Sequence, residues 1–235
     1  MKINGKDLSS FFATLQEHKI GSANITINQE WLGNKRHFFG YEVKGKKIEL
    51  DICIDHSSTE MYVSRLMAEF TKEVIIEFDS NDSQYLCTLV SSSKENDELF
   101  WEMSFLKIEL EGVELKKKVE IEMNRISNQI ITVDSTHTVP CVIYIMPSVD
   151  MIDLKISGAS RNKVTNELED ITLKNLKKGK QIIIDGINKT ILEDGENKFH
   201  ECEMWFFPSL AVGNNEITFS KNTCDIRIEY NPIFI

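Results

Sequence analysis

The stretch that decides the fold is the end of the chain, WFFPSLAVGNNEITFSKNTCDIRIEYNPIFI, residues 205–235. Two runs in it, Glu216–Ser220 and Thr223–Tyr230, alternate apolar and polar residues on either side of a polar turn at 220–222. A period of two residues is typical of a strand with one face buried and one face in water. We therefore predict a β-hairpin. Its second strand would direct Cys224, Ile226, Ile228 and Tyr230 to a core, and Asp225, Arg227 and Glu229 to solvent.

The rest of the second half also consists of short alternating or apolar runs separated by turn residues. They are QIITVD, CVIYIMP, DMIDLKISG, DITLKNL and KQIIIDGINKTILED. Asp185-Gly186 and Asp194-Gly195 predict tight two-residue turns, because Asp and Gly accept the left-handed backbone that such turns require. About eight short strands with regular turns favour a β-sandwich.

The first half contains further strands and one helix. In KKIELDICID the residues Ile48, Leu50, Ile52 and Ile54 share one face, whereas GSANITI and KRHFFGYEV read as short strands or turns. DLSSFFATLQEH near the start predicts at most one short turn of helix. HSSTEMYVSRLMAEFTKE has apolar residues at helical spacing, and Ser57 with Glu60 forms a capping box. We therefore predict a helix over 57–72, with Tyr62, Val63, Leu66, Met67 and Phe70 facing the core.

The length of 235 residues allows two domains. Apolar density falls over 111–128, so the boundary is predicted near 120–128. This gives an N-terminal β domain over 1–123 and a C-terminal β-sandwich over 124–235, and residues 129–235 are expected to fold alone. The run Lys116–Lys118 in this segment is interpreted as a solvated strand end or linker, with a basic docking patch as the alternative.

Composition argues against several classes of function. The net charge is −10, and residues 1–123 hold 15 basic and 22 acidic residues, so a surface for a nucleic-acid backbone is not expected. No apolar run approaches the length of a membrane span, and no secretory signal precedes the first strands. The cysteines sit singly in apolar runs, as reduced core thiols do: Cys53, Cys87, Cys141, Cys202 and Cys224.

Three groups of residues could suggest chemistry, and none has a complete set of partners. His200 and Cys202 would share a strand face and could hold a metal, but no second pair completes the ligand set. Asp134, Ser135 and His137 lie close together without the strained turn that a nucleophilic serine needs. Pairs of carboxylates that could act as in a glycosidase exist, but sequence does not set their separation. We predict no catalytic, cofactor-binding or metal-ligating residue, and no enzymatic activity.

Aromatic residues leave two interpretations open. They could line a sugar-binding face, which would suit a stand-alone carbohydrate-binding module, or they could pack in a core or a subunit interface. The residues concerned are Trp31, Trp101, Trp205, Tyr41 and Phe206.

With these features in view, the sequence resembles the distal tail protein family of long-tailed, siphovirus-type bacteriophages. The first half carries the resemblance in the order INGKDLSSF, IELDICID, STEMYVSRLMAEF and VIIEFDSNDSQYLCTLV. The second half carries it in the turn Asp194-Gly195, the aromatic run, FPSLAVGNNEI and the closing EYNPIFI. The stretch GYEVKGKKIEL is only a loose equivalent of the Gly-rich segment that the family often has before the helix.

The resemblance implies an N-terminal β-sandwich-like ring domain with a helix, followed by a C-terminal galectin-like β-sandwich that serves for docking. It implies a homo-hexameric ring in the tail tip or baseplate of the virion, assembled in the cytoplasm of the bacterial host. The implied partners are the tail tube protein, the tail-tip or tail-associated lysin protein and receptor-binding proteins. No cofactor, nucleic acid or membrane is among them.

Overall fold

The computed structural model describes residues 1–32, 34–79, 83–96, 102–162, 165 and 167–235, without the side chains of 31, 32, 37, 39–41 and 96. Two compact units make up the chain: Met1–Lys116 with Phe234–Ile235, and Lys117–Ile233. The division falls ahead of the boundary expected at 120–128. The sequence also predicts a turn at 80–82 and a strand that begins at 99–101, and both of these stretches lie outside the described residues.

The first unit is an antiparallel sheet with one α-helix, α1 (Thr59–Ala68), and a short 3-10 turn at Leu8–Phe11. Its strands are β1 (Lys2–Ile3), β2 (Lys6–Asp7), β3 (Ala13–Leu32), β4 (Lys35–Asp55), β5 (Val74–Glu77), β6 (Gln84–Asn96) and β7 (Met103–Leu115). They lie side by side in the order β2-β1-β5-β6-β7-β4-β3. The predicted all-β class with one short helix is confirmed.

The core of the first unit lies on the face of β4 that the sequence predicts. Ile48, Leu50, Ile52 and Ile54 are each at most 1% exposed. They pack with Leu8, Phe11, Leu66, Phe70, Val74, Ile76, Tyr85, Leu106, Ile108 and Leu110, among others. Alternation in the sequence therefore reports the buried face of this strand correctly.

Helix α1 continues into a 3-10 turn at Glu69–Thr71, so the helix predicted over 57–72 is confirmed. Leu66 of the helix and Phe70 of the 3-10 turn are buried in the core of the first unit. Three further predicted core residues are partly buried against the same cluster: Tyr62, Val63 and Met67.

The predicted capping box at the start of α1 is wrong. The N-cap residue is Ser58, and no side chain caps the helix there. The backbone N–H of Ser58 instead donates to Nδ1 of His56 at 2.9 Å. Glu60 forms an ion pair with Lys94 of β6 rather than reaching back to the chain before the helix. Ser57 lies one residue too early for its hydroxyl to serve the first turn.

Strands β3 and β4 form one long hairpin, where the sequence suggested several short strands. Its register shifts four times, between Leu15 and Glu17, around Ala23, and between Asn28 and Gln29. β4 pairs with β7 only from Lys46 onward. The part beyond, residues 24–32 and 35–45, is paired within itself among the described residues, and we call it the arm.

The second unit consists of two antiparallel sheets. Its strands are β8 (Val119–Asn124), β9 (Asn128–Val133), β10 (Val139–Pro147), β11 (Met151–Arg161), β12 (Leu168–Leu176), β13 (Ile182–Asp185), β14 (Thr190–Glu193), β15 (Glu196–Asn197), β16 (Cys202–Glu203), β17 (Ser209–Leu210), β18 (Gly213–Phe219) and β19 (Cys224–Tyr230), and a short β20 (Ile233–Phe234) ends the chain. The sheets run β15-β14-β13-β10-β19-β8 and β16-β12-β11-β18-β9, with β17 beside β10.

One hydrophobic core joins these two sheets. Ile143 and Ile228 of one sheet and Leu154, Ile171 and Ile217 of the other are completely buried in a single cluster. Two sheets that share one core are a β-sandwich. The second unit therefore has the predicted architecture.

Strands β18 and β19 do not form the predicted hairpin. β18 pairs with β11 and β9 in one sheet, whereas β19 pairs with β10 and β8 in the other. The turn at 220–222 therefore carries the chain from one layer of the sandwich to the opposite layer. The buried faces of both strands are as predicted, with the exception of Glu229, which is 7% exposed.

The two Asp-Gly turns differ from each other. Asp194 and Gly195 both have positive φ, 49° and 86°, and join β14 to β15 as the predicted two-residue turn. Asp185-Gly186 is instead the start of a four-residue loop, because Asp185 pairs with Thr190. The Asp185 carboxylate accepts hydrogen bonds from the backbone of residues 187 and 188.

No helix in the described part of the chain is long and apolar enough to cross a membrane.

Candidate functional site

The Ser135 hydroxyl has a structural role. Its oxygen lies 2.8 Å from the backbone oxygens of both His137 and Ile233, either of which can accept its single proton, and it accepts the N–H of Ile233 at 3.1 Å. Nδ1 of the His137 ring lies 3.5 Å from the hydroxyl of Thr136. Ser135 therefore secures the chain near its end, and the described contacts give it no activating base.

The His200 and Cys202 pair does not have the geometry that the sequence suggested. His200 lies in the 3-10 turn Phe199–Glu201, and Cys202 begins β16, so they do not share a strand face. Among the described residues, no group of three or more His, Cys, Asp or Glu side chains could hold a metal ion. The absence of a metal stays a prediction.

None of the five cysteines forms a disulfide bond. Burial raises the pKa of Cys87 and Cys141 to about 12, and the pKa of Cys202 and Cys224 to about 11. The reactive form of cysteine is the thiolate, which is scarce at neutral pH when the pKa is raised. These four side chains behave as small core residues.

Glu114 in the first unit is held as a carboxylate. Burial alone would raise its pKa, but hydrogen bonds from Lys116, Lys46 and Ser83 outweigh burial and lower the pKa to about 2. The Nζ of Lys46 and the hydroxyl of Ser83 lie 2.6 and 2.7 Å from its oxygens. A general acid for glycoside hydrolysis needs the opposite shift.

Glu229 in the second unit belongs to a similar buried network. Tyr144 donates its hydroxyl to the carboxylate at 3.1 Å, and Lys118 donates from 3.2 Å. Arg227 forms an ion pair with Glu229 at 3.1 Å and lies over the Tyr144 ring. Lys118 and Lys116 are both engaged within the chain, which weakens the interpretation of 116–118 as a basic docking patch.

The arm exposes large apolar side chains. Ile25, Ile27 and Phe38 are 61%, 53% and 64% exposed. The register places Ile25 opposite Val43 and Phe38 opposite Gln29, so the three apolar side chains follow one face of the arm. Strand β3 is also the edge of the sheet, and an edge presents unpaired backbone groups along its length.

Trp205 is the most exposed aromatic side chain that the structure describes, at 88%. It follows β16 and, with Phe206 and Phe207, lines a pocket of about 460 Å³ in the second unit. Of the aromatics considered for sugar binding, Trp101 and the side chains of Trp31 and Tyr41 lie outside the described residues. Only Trp205 and Phe206 are thus brought together.

The reactive side chains described above are engaged in hydrogen bonds and ion pairs that support the fold. The surface offers a long exposed sheet edge and an exposed aromatic segment. These features are typical of an all-β structural protein that binds other molecules through its surface. Residues 136–234 match the family model described as "Siphovirus-type tail component, C-terminal domain". The second unit is therefore such a domain, and the chain is a structural component of a siphovirus-type phage tail. The resemblance to the distal tail protein family is confirmed.

Solved structures share this fold along nearly the whole chain. The crystal structure of the SPP1 Dit (gp 19.1) protein, described as "a Paradigm of Hub Adsorption Apparatus in Gram-positive Infecting Phages", has a TM-score of 0.72 and 8% identity, covering 99% of this chain and 98% of that chain. The phage P2 baseplate in its activated conformation gives TM-scores of 0.56 with calcium and 0.54 with strontium, at 10% and 9% identity, each covering 95% of this chain and 92% of that chain. No curated protein matches the sequence.

Proposed function

We propose that the protein forms a homo-hexameric ring at the tip of the phage tail, where it joins the tail tube to the host-recognition apparatus. The observation that carries this proposal is the fold shared with SPP1 Dit over 99% of this chain, since that protein is described as part of a hub adsorption apparatus. The proposed location is the virion, after assembly in the host cytoplasm, and the proposed role is architectural, without catalysis.

The first unit is the proposed ring-forming part. Strand β3 leaves a 20-residue edge on the sheet. A long exposed edge invites pairing with another chain, and a closed head-to-tail ring covers such edges without producing an open fibre. The apolar face of the arm, formed by Ile25, Ile27 and Phe38, adds side chains that an interface would bury.

The second unit is the proposed docking domain. Its compact sandwich displays Trp205 and other exposed apolar side chains such as Ile130 and Ile152. The proposed partners of the ring are the tail tube protein, the tail-associated lysin protein and receptor-binding proteins. Neither direct nucleic-acid binding nor a membrane is part of the proposal.

The acidic excess of the N-terminal residues limits how six copies can pack in a ring. Residues 1–123 carry 22 acidic and 15 basic residues, so six copies repel one another unless complementary patches meet or salt screens the excess. Acidic side chains facing the channel would also repel DNA phosphates as the genome passes. We therefore expect the hexamer to persist or strengthen when salt rises from about 20 mM to about 150 mM, where the screening length is near 8 Å.

Light scattering coupled to size exclusion tests the proposal on the full chain. We expect a mass six times the 27.1 kDa of one chain, and a hexamer from residues 1–123 as well. Ile25→Glu with Ile27→Glu should leave a folded monomer, because both side chains are more than half exposed in one chain. Ile130→Glu, a matched strand position that is 64% exposed in the second unit, should leave the hexamer intact.

A monomer at every salt and protein concentration would contradict the ring. It would favour the alternative of a carbohydrate-binding module that acts alone, because such a module has no need of a ring. The pocket beside Trp205 is the feature that such a module would use.

A further inference from the structure

The segment 205–208 holds its aromatic side chains on a fixed backbone. The Pro208 oxygen accepts the N–H of Cys141 at 3.2 Å, and the Phe206 oxygen accepts the hydroxyl of Ser160 at 2.8 Å. Gly186 lies under the segment so closely that a Cβ there would be 2.2 Å from the Pro208 oxygen. The Trp205 side chain is therefore 88% exposed, while hydrogen bonds hold the backbone of the residues that follow it.

An exposed Trp on an anchored backbone suits recognition. An unattached loop must lose conformational entropy when it binds, whereas a fixed one has already lost it. Trp also offers a large flat apolar face, which is the kind of surface on which the C–H groups of a pyranose ring can stack.

The pocket on one side of Trp205 combines aromatic and cationic walls. Phe206 and Phe207 form the apolar part, and Lys189 lies over the Phe207 ring at 5.4 Å. Arg161, at the end of β11, lines the same pocket. Thr138, Pro140, Asn162 and Ser209 complete the described lining.

The charge of this pocket differs from that of the chain. The ionisable residues among its described lining are Arg161 and Lys189, both cationic, although the chain carries −10 overall. Asp170 and Glu203 line a second depression that also includes Trp205, and both carboxylates are ion-paired there, Asp170 with Lys155 at 2.6 Å and Glu203 with Lys174. The pocket with Arg161 and Lys189 is therefore the one of the two whose described lining presents cationic side chains to an anion.

We propose that the basic pocket beside Trp205 binds an acidic saccharide. One sugar ring stacks on Trp205, and the carboxylate of that ring or its neighbour pairs with Lys189 and Arg161. Ser209 and Thr138 supply polar groups for the hydroxyls, whereas the side-chain amide of Asn162 is already bonded to Glu169 and to the N–H of Thr165. The volume of about 460 Å³ suits one or two sugar rings. The proposal goes beyond the ring and does not depend on it, because every residue concerned lies in the second unit.

The test compares two probes of equal length. Hyaluronan tetrasaccharide contains glucuronate, whereas chitotetraose contains only uncharged sugar rings. The full-length protein is labelled with 5-fluorotryptophan, which gives a fluorine resonance for each of its three tryptophans, and Trp205→Phe identifies the one of interest. We expect the Trp205 resonance to shift in a saturable way with hyaluronan tetrasaccharide and to shift far less with chitotetraose.

Variants separate binding from folding. Trp205→Ala and Lys189→Asn should each weaken binding of hyaluronan tetrasaccharide about tenfold in calorimetry, which corresponds to about 1.4 kcal/mol. Asn is chosen because Lys189 has φ of 59°, a conformation that Asn tolerates. Ile152→Ala, at a position 82% exposed and outside the pocket, should leave the affinity unchanged.

Three results would overturn the proposal. If neither probe moves the Trp205 resonance up to about 10 mM, a range that already includes very weak binding, the pocket does not bind saccharides and Trp205 is a protein contact. Equal binding of chitotetraose would refute the acidic specificity. An affinity unaffected by Lys189→Asn would refute the role of the basic wall.

Discussion

At the scale of single residues, Glu114 and Lys198 show how buried charges are paired in this protein. Glu114 is 13% exposed by its side chain and accepts hydrogen bonds from two lysines and a serine. Lys198 in the second unit is 3% exposed and pairs with Glu193 and Glu201. A buried charge without such partners is strongly destabilising, so the partners matter more than the net gain from each pair.

Glu114 provides a prediction of pH dependence. Its folded pKa of about 2 lies below the ordinary value of 4.5, so its stabilisation is complete above about pH 5 and is lost as the pH falls toward 2. A shift of this size corresponds to at most about 3 kcal/mol. Glu114→Gln should lower the free energy of unfolding in urea at pH 7, and the difference from the wild type should shrink toward pH 2.

The control for this prediction is Glu95→Gln. Glu95 pairs with Lys107 at 3.2 Å, but its side chain is 65% exposed, and exposed pairs contribute little. A difference between the Glu114→Gln variant and the wild type that stays constant from pH 7 to pH 2 would contradict the role given to Glu114.

His200 and Cys202 lead to a prediction about metal removal. Because the two residues lie on different elements, we expect a strong chelator to leave the melting temperature unchanged. A metal that binds only the native state would add stability by mass action. A drop of more than a few degrees with chelator, reversed by added zinc, would mean that these residues hold a metal after all.

At the scale of elements, strand β8 has to be included in any fragment in which the second unit is expected to fold alone. Val119–Asn124 pairs with β19 over six residues, and Met123 is completely buried in the sandwich core. The sequence-based expectation that residues 129–235 fold alone overlooks this strand. Loss of the Met123 side chain alone corresponds to roughly 2–5 kcal/mol.

We therefore predict different behaviour for two fragments. Residues 117–233 should unfold cooperatively in urea, whereas residues 129–235 should be much less stable or fail to fold. Circular dichroism at equal protein concentration measures both. Equal midpoints for the two fragments would show that β8 is dispensable.

The long hairpin of β3 and β4 was the element hardest to predict. Among the described side chains of the arm, exposed residues occur on both faces, so no buried face sets an alternation, and the register also shifts around Ala23 and Asn28. Where β4 reaches the core, from Ile48 to Ile54, alternation returns and the prediction is correct. Alternation of apolar and polar residues arises where one face of a strand is buried, and it is absent where a strand has no buried face.

At the scale of the whole molecule, the order of motifs carried more information than any single motif. The resemblance to distal tail proteins rested on degenerate structural segments, and the match over residues 136–234 confirms it. Identity with the solved structures is only 8–10%, although the fold extends over nearly the whole chain. A fold can be retained at such identity because the burial pattern and the turns persist while individual side chains change.

The sequence by itself determined the all-β class, helix α1, the buried faces of β4, β18 and β19, and the tail family. Each follows from local periodicity or from the order of local motifs. Only the tertiary structure decided that β18 and β19 lie in opposite sheets, that Glu229 is buried beside Tyr144, and that Trp205 borders a basic pocket. The physical reason is that alternation within a strand shows which of its faces is buried. Which strands pair with it, and which side chains it meets, depends on residues that are distant in the chain.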